Sequence, residues 1–339
     1  MHRYKSQALS LNKGVHMKKI AILTSGGDSQ GMNSAYYAVV HHAIQHGLEV
    51  YGIKYGYKGL IEGQVKRLDM HSVENVLHRG GTALFTSRCP EMRTTEGKQK
   101  AVENLRKHGI EGIIVIGGDG SFMGARALSV EYGINAIGIP GTIDNDLAYT
   151  DFTLGFDTAV ENAVNNIKVL RDTVYCNDRS MVVEVMGRNC GDIALYAGIE
   201  SGAEIIIVPE VPYDINQVVE RIQSNQAHGK MSNIIIVAEG AGTADGVCKQ
   251  ITDRIPGLNI RSINLGHLLR GGHASSQDRL LGIRMGVHAV DCLVAGKTSR
   301  VIGVHNNEIF DEDMVEALAK KRTFNKALYD LAWSLGEVK

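Results

Sequence analysis

The sequence predicts an α/β fold of two lobes, with mostly parallel sheets and a cleft between them. Three observations carry this. Short aliphatic runs of strand length alternate with segments of helical period from Lys18 onward. The alternation runs as two series, one before and one after Phe156. Twice in the first series a strand passes through a glycine cluster directly into a helix. Strands that are apolar throughout and separated by helices imply βαβ crossovers, with the sheet covered on both faces.

In the first series, Lys19–Leu23, Glu49–Ile53, Gly112–Ile116 and Ala136–Ile139 read as buried strands. Asn33–His46, Gly97–His108 and Ser121–Tyr132 read as the helices between them. The second series begins with a long helical stretch, Thr158–Val174. Its strands are Met181–Val185, Glu204–Val208 and Asn233–Ala238, with helices Gly191–Ser201 and Asp214–Gln226 between them. Asp278–Val294 has helical spacing, and Arg300–Val304 is a further strand.

Composition narrows the function. Among 339 residues, 36 basic and 37 acidic side chains leave a net charge of −1. Neither sign runs in blocks, so nothing points to nucleic acid or an anionic membrane surface as a partner. The cysteines (Cys89, Cys176, Cys190, Cys248 and Cys292) are odd in number and form no CxxC pair. Reduced cytoplasmic thiols are therefore expected, not a disulfide framework or a zinc site. No aliphatic run approaches the ~20 residues of a membrane helix. Residues 1–16 lack an apolar segment and are expected to be a disordered extension or tag, with Met17 as the natural start.

The chemistry sits in the turns. Ser25-Gly26-Gly27-Asp28 leads to Gly31-Met32-Asn33, and Gly117-Gly118-Asp119-Gly120-Ser121 leads to Gly124. Glycines let main-chain N–H groups converge on an anion, and the following helix start adds partial positive charge. An aspartate beside a phosphate is repulsive without a metal between them, which makes Asp119 a candidate Mg²⁺ ligand. Pro140-Gly141-Thr142-Ile143-Asp144-Asn145-Asp146 ends a strand with two carboxylates two residues apart, projecting to one side. Phosphoryl transfer needs one carboxylate to accept a hydroxyl proton and others to serve the metal. Arginines beside glycines supply the cationic side: Arg179, Arg188 in Met186-Gly187-Arg188, and Arg261 and Arg270 flanking Gly266-His267. The last spacing is expected to gather two guanidinia and an imidazole around one glycine turn, a phosphate site.

These motifs, TSGGDSQGMN, VIGGDGS, PGTIDND, VEVMGR and GHLLRGG, occur in the order and spacing of the bacterial ATP-dependent 6-phosphofructokinases. The chain resembles that family from about Lys18 to near its C-terminus. The resemblance implies two Rossmann-like three-layer lobes with mostly parallel sheets and a cleft between them. It also implies phosphorylation of fructose 6-phosphate by ATP and Mg²⁺, in a cytoplasmic homotetramer whose sugar-phosphate sites are shared between subunits. By motif, Asp144 would be the base and Asp119 would serve Mg²⁺. Thr142, Asp146, Met186, Gly187 and Glu239 would orient the sugar, and Arg188 the transferring phosphoryl group. His267 and Arg270 would bind the sugar phosphate from the same chain, Arg179 and Arg261 from a neighbour. Gly26, Tyr57, Arg88, Arg93, Gly118, Asp119, Gly120, Ser121 and Gly124 match ATP-side positions. Cys89 and Met92 stand where aromatics are common in the family.

An ATP-binding lobe over 17–155 and 269–319 and a sugar-phosphate lobe over 156–268 and 320–339 are expected. The family's effector site is lined with basic residues, but here Tyr37, His41 and Gln64 take three such positions and His228 a fourth. Arg171, Glu204 and Lys230 keep their types. Weak control by ADP and phosphoenolpyruvate is therefore expected. Three other readings compete. A pyrophosphate-dependent relative would carry Asp and Lys where this chain has Gly120 and Gly141. An NAD or lipid kinase would explain GGDG but not the Arg261–Gly272 motif. A non-catalytic regulatory homologue would have lost a base or metal residue, and none is missing.

Overall fold

The computed structural model describes residues 17–337, so the extension expected over residues 1–16 lies outside the described residues. Eleven strands are described: β1 Lys19–Thr24, β2 Glu49–Ile53, β3 Val65–Leu68, β4 Gly112–Gly117, β5 Asn135–Pro140, β6 Ser180–Val185, β7 Ile205–Ile207, β8 Ile234–Ala238, β9 Ile260–Asn264, β10 Arg300–His305 and β11 Glu308–Asp313. The α-helices are α1 Met32–Gln45, α2 Gly56–Glu62, α3 Thr95–Lys107, α4 Asp119–Tyr132, α5 Phe156–Cys176, α6 Asp192–Ser201, α7 Ile215–Ala227, α8 Ala244–Thr252, α9 Ser276–Val294, α10 Met314–Ala319 and α11 Lys326–Leu335.

The strands form two sheets, as the two series in the sequence predict. The first has the order β11-β10-β5-β4-β1-β2-β3, and the second β7-β8-β6-β9. The second sheet is parallel throughout. In the first, only the edge strands β3 and β11 pair antiparallel. Both sheets are covered on two faces. One apolar cluster joins Ile20, Ile22, Ile114, Ile116 and Ile137 to α1 and α9, while Ala21, Leu23, Ile113 and Val115 pack towards α3 and α4 on the other side. Each of these strand residues is fully buried. At about 25 cal/mol per Å² of apolar surface, burial of this kind is the dominant favourable contribution to the fold.

The order of the first sheet reverses between β1 and β4, where the chain leaves in opposite directions. At such a switch point the strand ends splay the following loops apart and open a crevice. Both glycine turns sit there. Gly26 and Gly31 adopt φ of +91° and +95°. Those left-handed conformations are disfavoured for residues with a Cβ.

The two sheets are joined through Asp278 at the start of α9. Its fully buried carboxylate accepts hydrogen bonds from Gly155 N at 2.8 Å, Thr158 N at 2.9 Å and Thr158 Oγ1 at 2.6 Å. Those groups belong to the first turn of α5, where helix N–H groups have no intrahelical acceptor.

Three differences from the sequence expectations have plain causes. Helix α4 begins at Asp119 and not at Ser121, so Asp119 occupies the first helical turn. Strand β7 shrinks to Ile205–Ile207, since Glu204 turns its buried side chain back onto Ile234 N. Arg261 and Arg270 are not gathered around one turn. Arg261 lies near the start of β9, opposite Met181, while Arg270 ends the 3₁₀ helix Gly266–Arg270 beyond the other end of that strand. The intervening residues are extended, and three of them span about 10 Å.

Candidate active site

A cavity of about 900 Å³ opens at the C-terminal ends of β1, β4 and β5. Its floor is the two glycine turns and the β5 loop, through Gly26, Gly27, Gly118, Gly120, Gly141 and Thr142. The volume lies within the range of sites that enclose a small ligand. All nine residues expected on the ATP side line it: Gly26, Tyr57, Arg88, Arg93, Gly118, Asp119, Gly120, Ser121 and Gly124.

Tyr57 acts as a support. Its ring is buried, and its hydroxyl donates to Ser121 O at 2.6 Å. The ring lies against Gly124, where an added Cβ would come within 2.7 Å of the ring carbon bearing the hydroxyl. Only glycine allows α4 to approach Tyr57 this closely, and that contact sets the position of the α4 start. At Gly120 an added Cβ would meet nothing within 4 Å, so the space above the turn is open.

Asp119, Asp144, Asp146 and Arg270 line the same cavity. Burial, followed by repulsion from Asp146, pushes the Asp144 carboxyl up to about 6, with Glu239 adding to the rise and Arg270 and Arg188 opposing it. Burial and then the charge of Asp146 likewise raise Asp119. Asp144 Oδ1 is buried without a protein hydrogen-bond partner. A polar atom left unsatisfied in a concave site marks a place for a ligand group. Arg270 lies flat over Gly27, with Nη1 3.0 Å from the position a Cβ would take, and it donates to Asp28 O at 2.7 Å. Gln30 and Asn162 hold the Arg270 turn by donating to the carbonyls of Leu269 and Gly271.

The strand ends of the second sheet carry Met186, Gly187, Arg188, Glu239 and His267, which do not line the cavity, although the charges of Arg188 and Glu239 reach Asp144. Met186, Gly187 and Arg188 follow β6, Glu239 follows β8, and His267 follows β9. Glu239 N donates to Val185 O at 2.9 Å and Gly240 N to Gly187 O at 3.2 Å, which locks these turns together. Gly187 has φ +132°, and an added Cβ would collide with Cys190 O at 2.4 Å. Arg179 and Arg261 sit instead at the N-terminal ends of β6 and β9, a strand length from these turns. Arg179 Nε donates to Asn259 Oδ1, and Arg261 is exposed.

The expected effector residues divide into separate groups. Arg171, Glu204 and Lys230 form one ion-pair cluster, with Lys230 Nζ 2.5 Å and Arg171 Nη1 3.6 Å from Glu204 Oε1. His228 caps α7 beside it, its Nδ1 2.8 Å from Ser224 O. Tyr37 and His41 stack on α1 with ring centroids 4.2 Å apart, and Gln64 donates to Glu62.

The cavity also contains residues that the motifs do not mark: Lys98, Met123, Arg126 and Glu131, with Lys98 paired to Glu131 at 2.6 Å. Gly120, Gly124, Ala127 and Glu131 recur every three or four residues, one face of a helix entered by a phosphate-type glycine turn. That spacing was the available signal.

With this geometry in view, similarity to known proteins can be stated. A profile of the phosphofructokinase family matches residues 19–293. The chain belongs to the phosphofructokinase family. A protein named ATP-dependent 6-phosphofructokinase from Paenibacillus macquariensis is 52% identical over 321 residues, covering 95% of this chain and 99% of that protein. Its namesake from Clostridium acetobutylicum is also 52% identical, covering 93% and 98% respectively. The structure of phosphofructokinase from Saccharomyces cerevisiae matches with a TM-score of 0.84 and 35% identity. It covers 94% of this chain, which spans about half of that longer one. A pyrophosphate-dependent phosphofructokinase from Marinobacter aquaeolei, 22% identical, shares the fold with a TM-score of 0.81.

The ATP-dependent phosphofructokinases generally use Mg²⁺ with ATP, and the residues here fit such an ion. Asp119, Asp144 and Asp146 offer hard oxygen donors along the cavity, and Asp144 Oδ1 has no protein partner. Among the described residues, the groups close enough to cage an ion by themselves lie elsewhere. Mg²⁺ suits this spacing, because it usually keeps waters and shares one or two carboxylates with substrate phosphates. No described helix is long and apolar enough to cross a membrane, and all five cysteines are free.

Proposed function

We propose that this chain transfers the γ-phosphoryl group of ATP to the 1-hydroxyl of fructose 6-phosphate, in the cytoplasm. The observation that carries the reading is one cavity lined both by the two glycine turns and by Asp144, Asp146 and Arg270. Its volume suits a nucleotide with the acceptor hydroxyl beside Asp144. The backbone of Gly26, Gly118 and Gly120 would cradle the phosphates, with Arg88 and Arg93 lining the same cavity. Asp144, with its carboxyl raised to about 6 by burial and Asp146, is ionised at neutral pH yet basic enough to take the sugar proton. Arg188, whose charge reaches Asp144, would face the transferring group. Thr142, Asp146, Met186, Gly187 and Glu239 would orient the sugar ring, and His267 and Arg270 would bind its 6-phosphate. Asp119 is the residue best placed to share Mg²⁺ with the phosphates. The ion supplies charge neutralisation between phosphate oxygens.

The donor is ATP and not pyrophosphate because Gly120 leaves the phosphate arm open. Arg179 and Arg261 stand at the N-terminal ends of β6 and β9, a strand length from the turns that carry Arg188, His267 and Arg270. Their position supports a homotetramer in which each completes a neighbour's sugar-phosphate site. The two lobes would divide as 17–155 with 269–319 for ATP, and 156–268 with the remaining C-terminal residues for the sugar phosphate. A coupled assay of fructose 1,6-bisphosphate formation with ATP against pyrophosphate tests the reading. Turnover with ATP alone is expected, and turnover with pyrophosphate alone would contradict it.

A further inference from the structure

Two helices leave the phosphate-binding region side by side and carry an unassigned cluster at their far ends. Helices α1 and α9 run parallel, which the order of their contacts establishes. A Cβ on Gly282 would meet Gly31 O at 2.8 Å, and one on Gly286 would meet Ala35 O at 2.7 Å. Backbones this close fix the axial register of the pair and hence what faces what further along. Further along the pair, at the edge of this contact, His42 and His46 from α1 meet Asp291 from α9. His42 Nε2 lies 2.7 Å, and His46 Nε2 3.9 Å, from the same oxygen, Asp291 Oδ1.

We propose that His42, His46 and Asp291 form a binding site for a first-row transition-metal dication, of which Zn²⁺ is the expected occupant. The two histidines stand four residues apart on one helix face, so both imidazoles project to the same side. Their ligand atoms and the carboxylate oxygen all lie within 4.8 Å of one another. A tetrahedral zinc ion with bonds near 2.0–2.1 Å needs its ligand atoms about 3.4 Å apart. The present 2.7 and 3.9 Å bracket that spacing, so small side-chain rotations close the site. Water would fill the fourth position, because the cluster is partly exposed.

Electrostatics favour a cation there. Helix α1 ends at Gln45 and α9 at Val294, so two helix C-termini direct their partial negative charge towards this end. The ion pairs of Asp291 are to the two imidazoles. The comparison with His288, Cys292 and Asp311, also close enough to hold an ion, is decisive. There Lys297 Nζ at 2.7 Å and Arg300 Nε at 2.8 Å already neutralise Asp311 and would repel a metal. Among the described residues, no ammonium or guanidinium pairs with Asp291. It is separate from the catalytic cavity, since α1 places His42 and His46 about 20 Å from the Gly31 turn at 1.5 Å per residue. Imidazole donors also exclude Mg²⁺, which prefers oxygen.

The test uses the full chain with reduced cysteines, excess Mg²⁺, and Co²⁺ as a spectroscopic probe for zinc. One Co²⁺ per chain is expected, with a visible spectrum of nitrogen and oxygen ligation, displaced by Zn²⁺. Loss of outer-shell partners alone costs metal sites ten- to hundred-fold, so His46→Gln and Asp291→Asn should each weaken binding by at least about tenfold. Turnover in Mg²⁺ alone should remain at the wild-type level in both variants, which also shows that they fold. Absence of Co²⁺ binding at millimolar concentration would overturn the proposal. So would equal binding by the wild type and both variants, or a thiolate spectrum, since each would place the ion elsewhere. If one variant misfolds, His42→Gln serves in its place.

Discussion

The side-chain amide of Asn145 donates to Asp192 Oδ2 at 3.0 Å, and that bond steadies the backbone between Asp144 and Asp146. Asn145 is in the left-handed region at φ +52°, and its Oδ1 accepts from Thr153 N at 3.1 Å. Asp192 is buried and paired with Arg322, which also reaches Glu210 at 3.3 Å. The spacing of the two carboxylates thus depends on a side chain that is not itself part of the cavity lining. Asn145→Gly retains the left-handed backbone but loses the amide. We expect kcat to fall about ten- to hundred-fold, the scale of a displacement near 1 Å, with KM for ATP nearly unchanged. Steady-state kinetics on a variant of wild-type melting temperature would check this, and an unchanged kcat would show the clamp to be irrelevant.

Much of the fold was legible in the sequence, for particular reasons. Strands such as Ile113–Ile116 are aliphatic throughout because helices cover both faces of the sheet, so they are visible without any partner. Strands β3, β9 and β11 do not stand out in the sequence, because all three are edge strands in which polar residues fill half or more of the positions. In the site, the glycine turns and paired aspartates announced themselves by local spacing. Lys98, Arg126 and the Asp192–Arg322 pair did not, since each reaches its place only through tertiary packing. The separation of Arg261 from Arg270 was missed for the same reason: sequence nearness says nothing of an intervening strand.

The raised Asp144 carboxyl has a direct pH consequence. A base must be ionised, so kcat/KM is expected to fall on the acid side through a single limb near about 6. The sugar phosphate titrates in the same region, so the limb alone does not identify its owner. Asp146→Asn removes the largest neighbouring charge that raises Asp144. The limb should then move to lower pH, whereas a substrate-owned limb would stay in place. The sign also holds for stability. The folded state prefers protonated Asp144, so this group's contribution is greatest below the unfolded carboxylate pKa and declines as pH rises through about 6.

The arginines at the N-terminal strand ends lead to a complementation experiment. An Asp144→Ser chain and an Arg261→Ser chain should each be nearly inactive alone. Mixed under conditions that exchange subunits, they should regain activity, since some hybrid sites combine two intact contributions. No recovery in proven hybrids, or full activity in a monomer by light scattering, would contradict shared sites.

Effector control should be weak. Arg171 donates to Ser201 O and Gly202 O at 2.8 and 2.7 Å and pairs with Glu204, to which Lys230 is also bound. Both cations are therefore already engaged, and Tyr37, His41 and Gln64 bring no fixed positive charge. Each missing charge-assisted hydrogen bond forfeits roughly 1.5–3 kcal/mol. Near-hyperbolic kinetics in fructose 6-phosphate at pH 8 are expected, with millimolar phosphoenolpyruvate or ADP nearly without effect. Strong sigmoidal inhibition at sub-millimolar phosphoenolpyruvate would show that the remaining groups suffice.

The most direct measurement is kcat of Asp144→Ser with ATP, Mg²⁺ and fructose 6-phosphate. The substitution removes the carboxylate while leaving the glycine cradle and Arg270 in place. Loss of a general base typically costs 10²–10⁴-fold, and the loss should fall on kcat while KM for ATP is largely retained. A fall of at least about a hundredfold in kcat, the lower end of that range, is the result expected. Retention of more than about a tenth of wild-type kcat would contradict the assignment of Asp144 as the base.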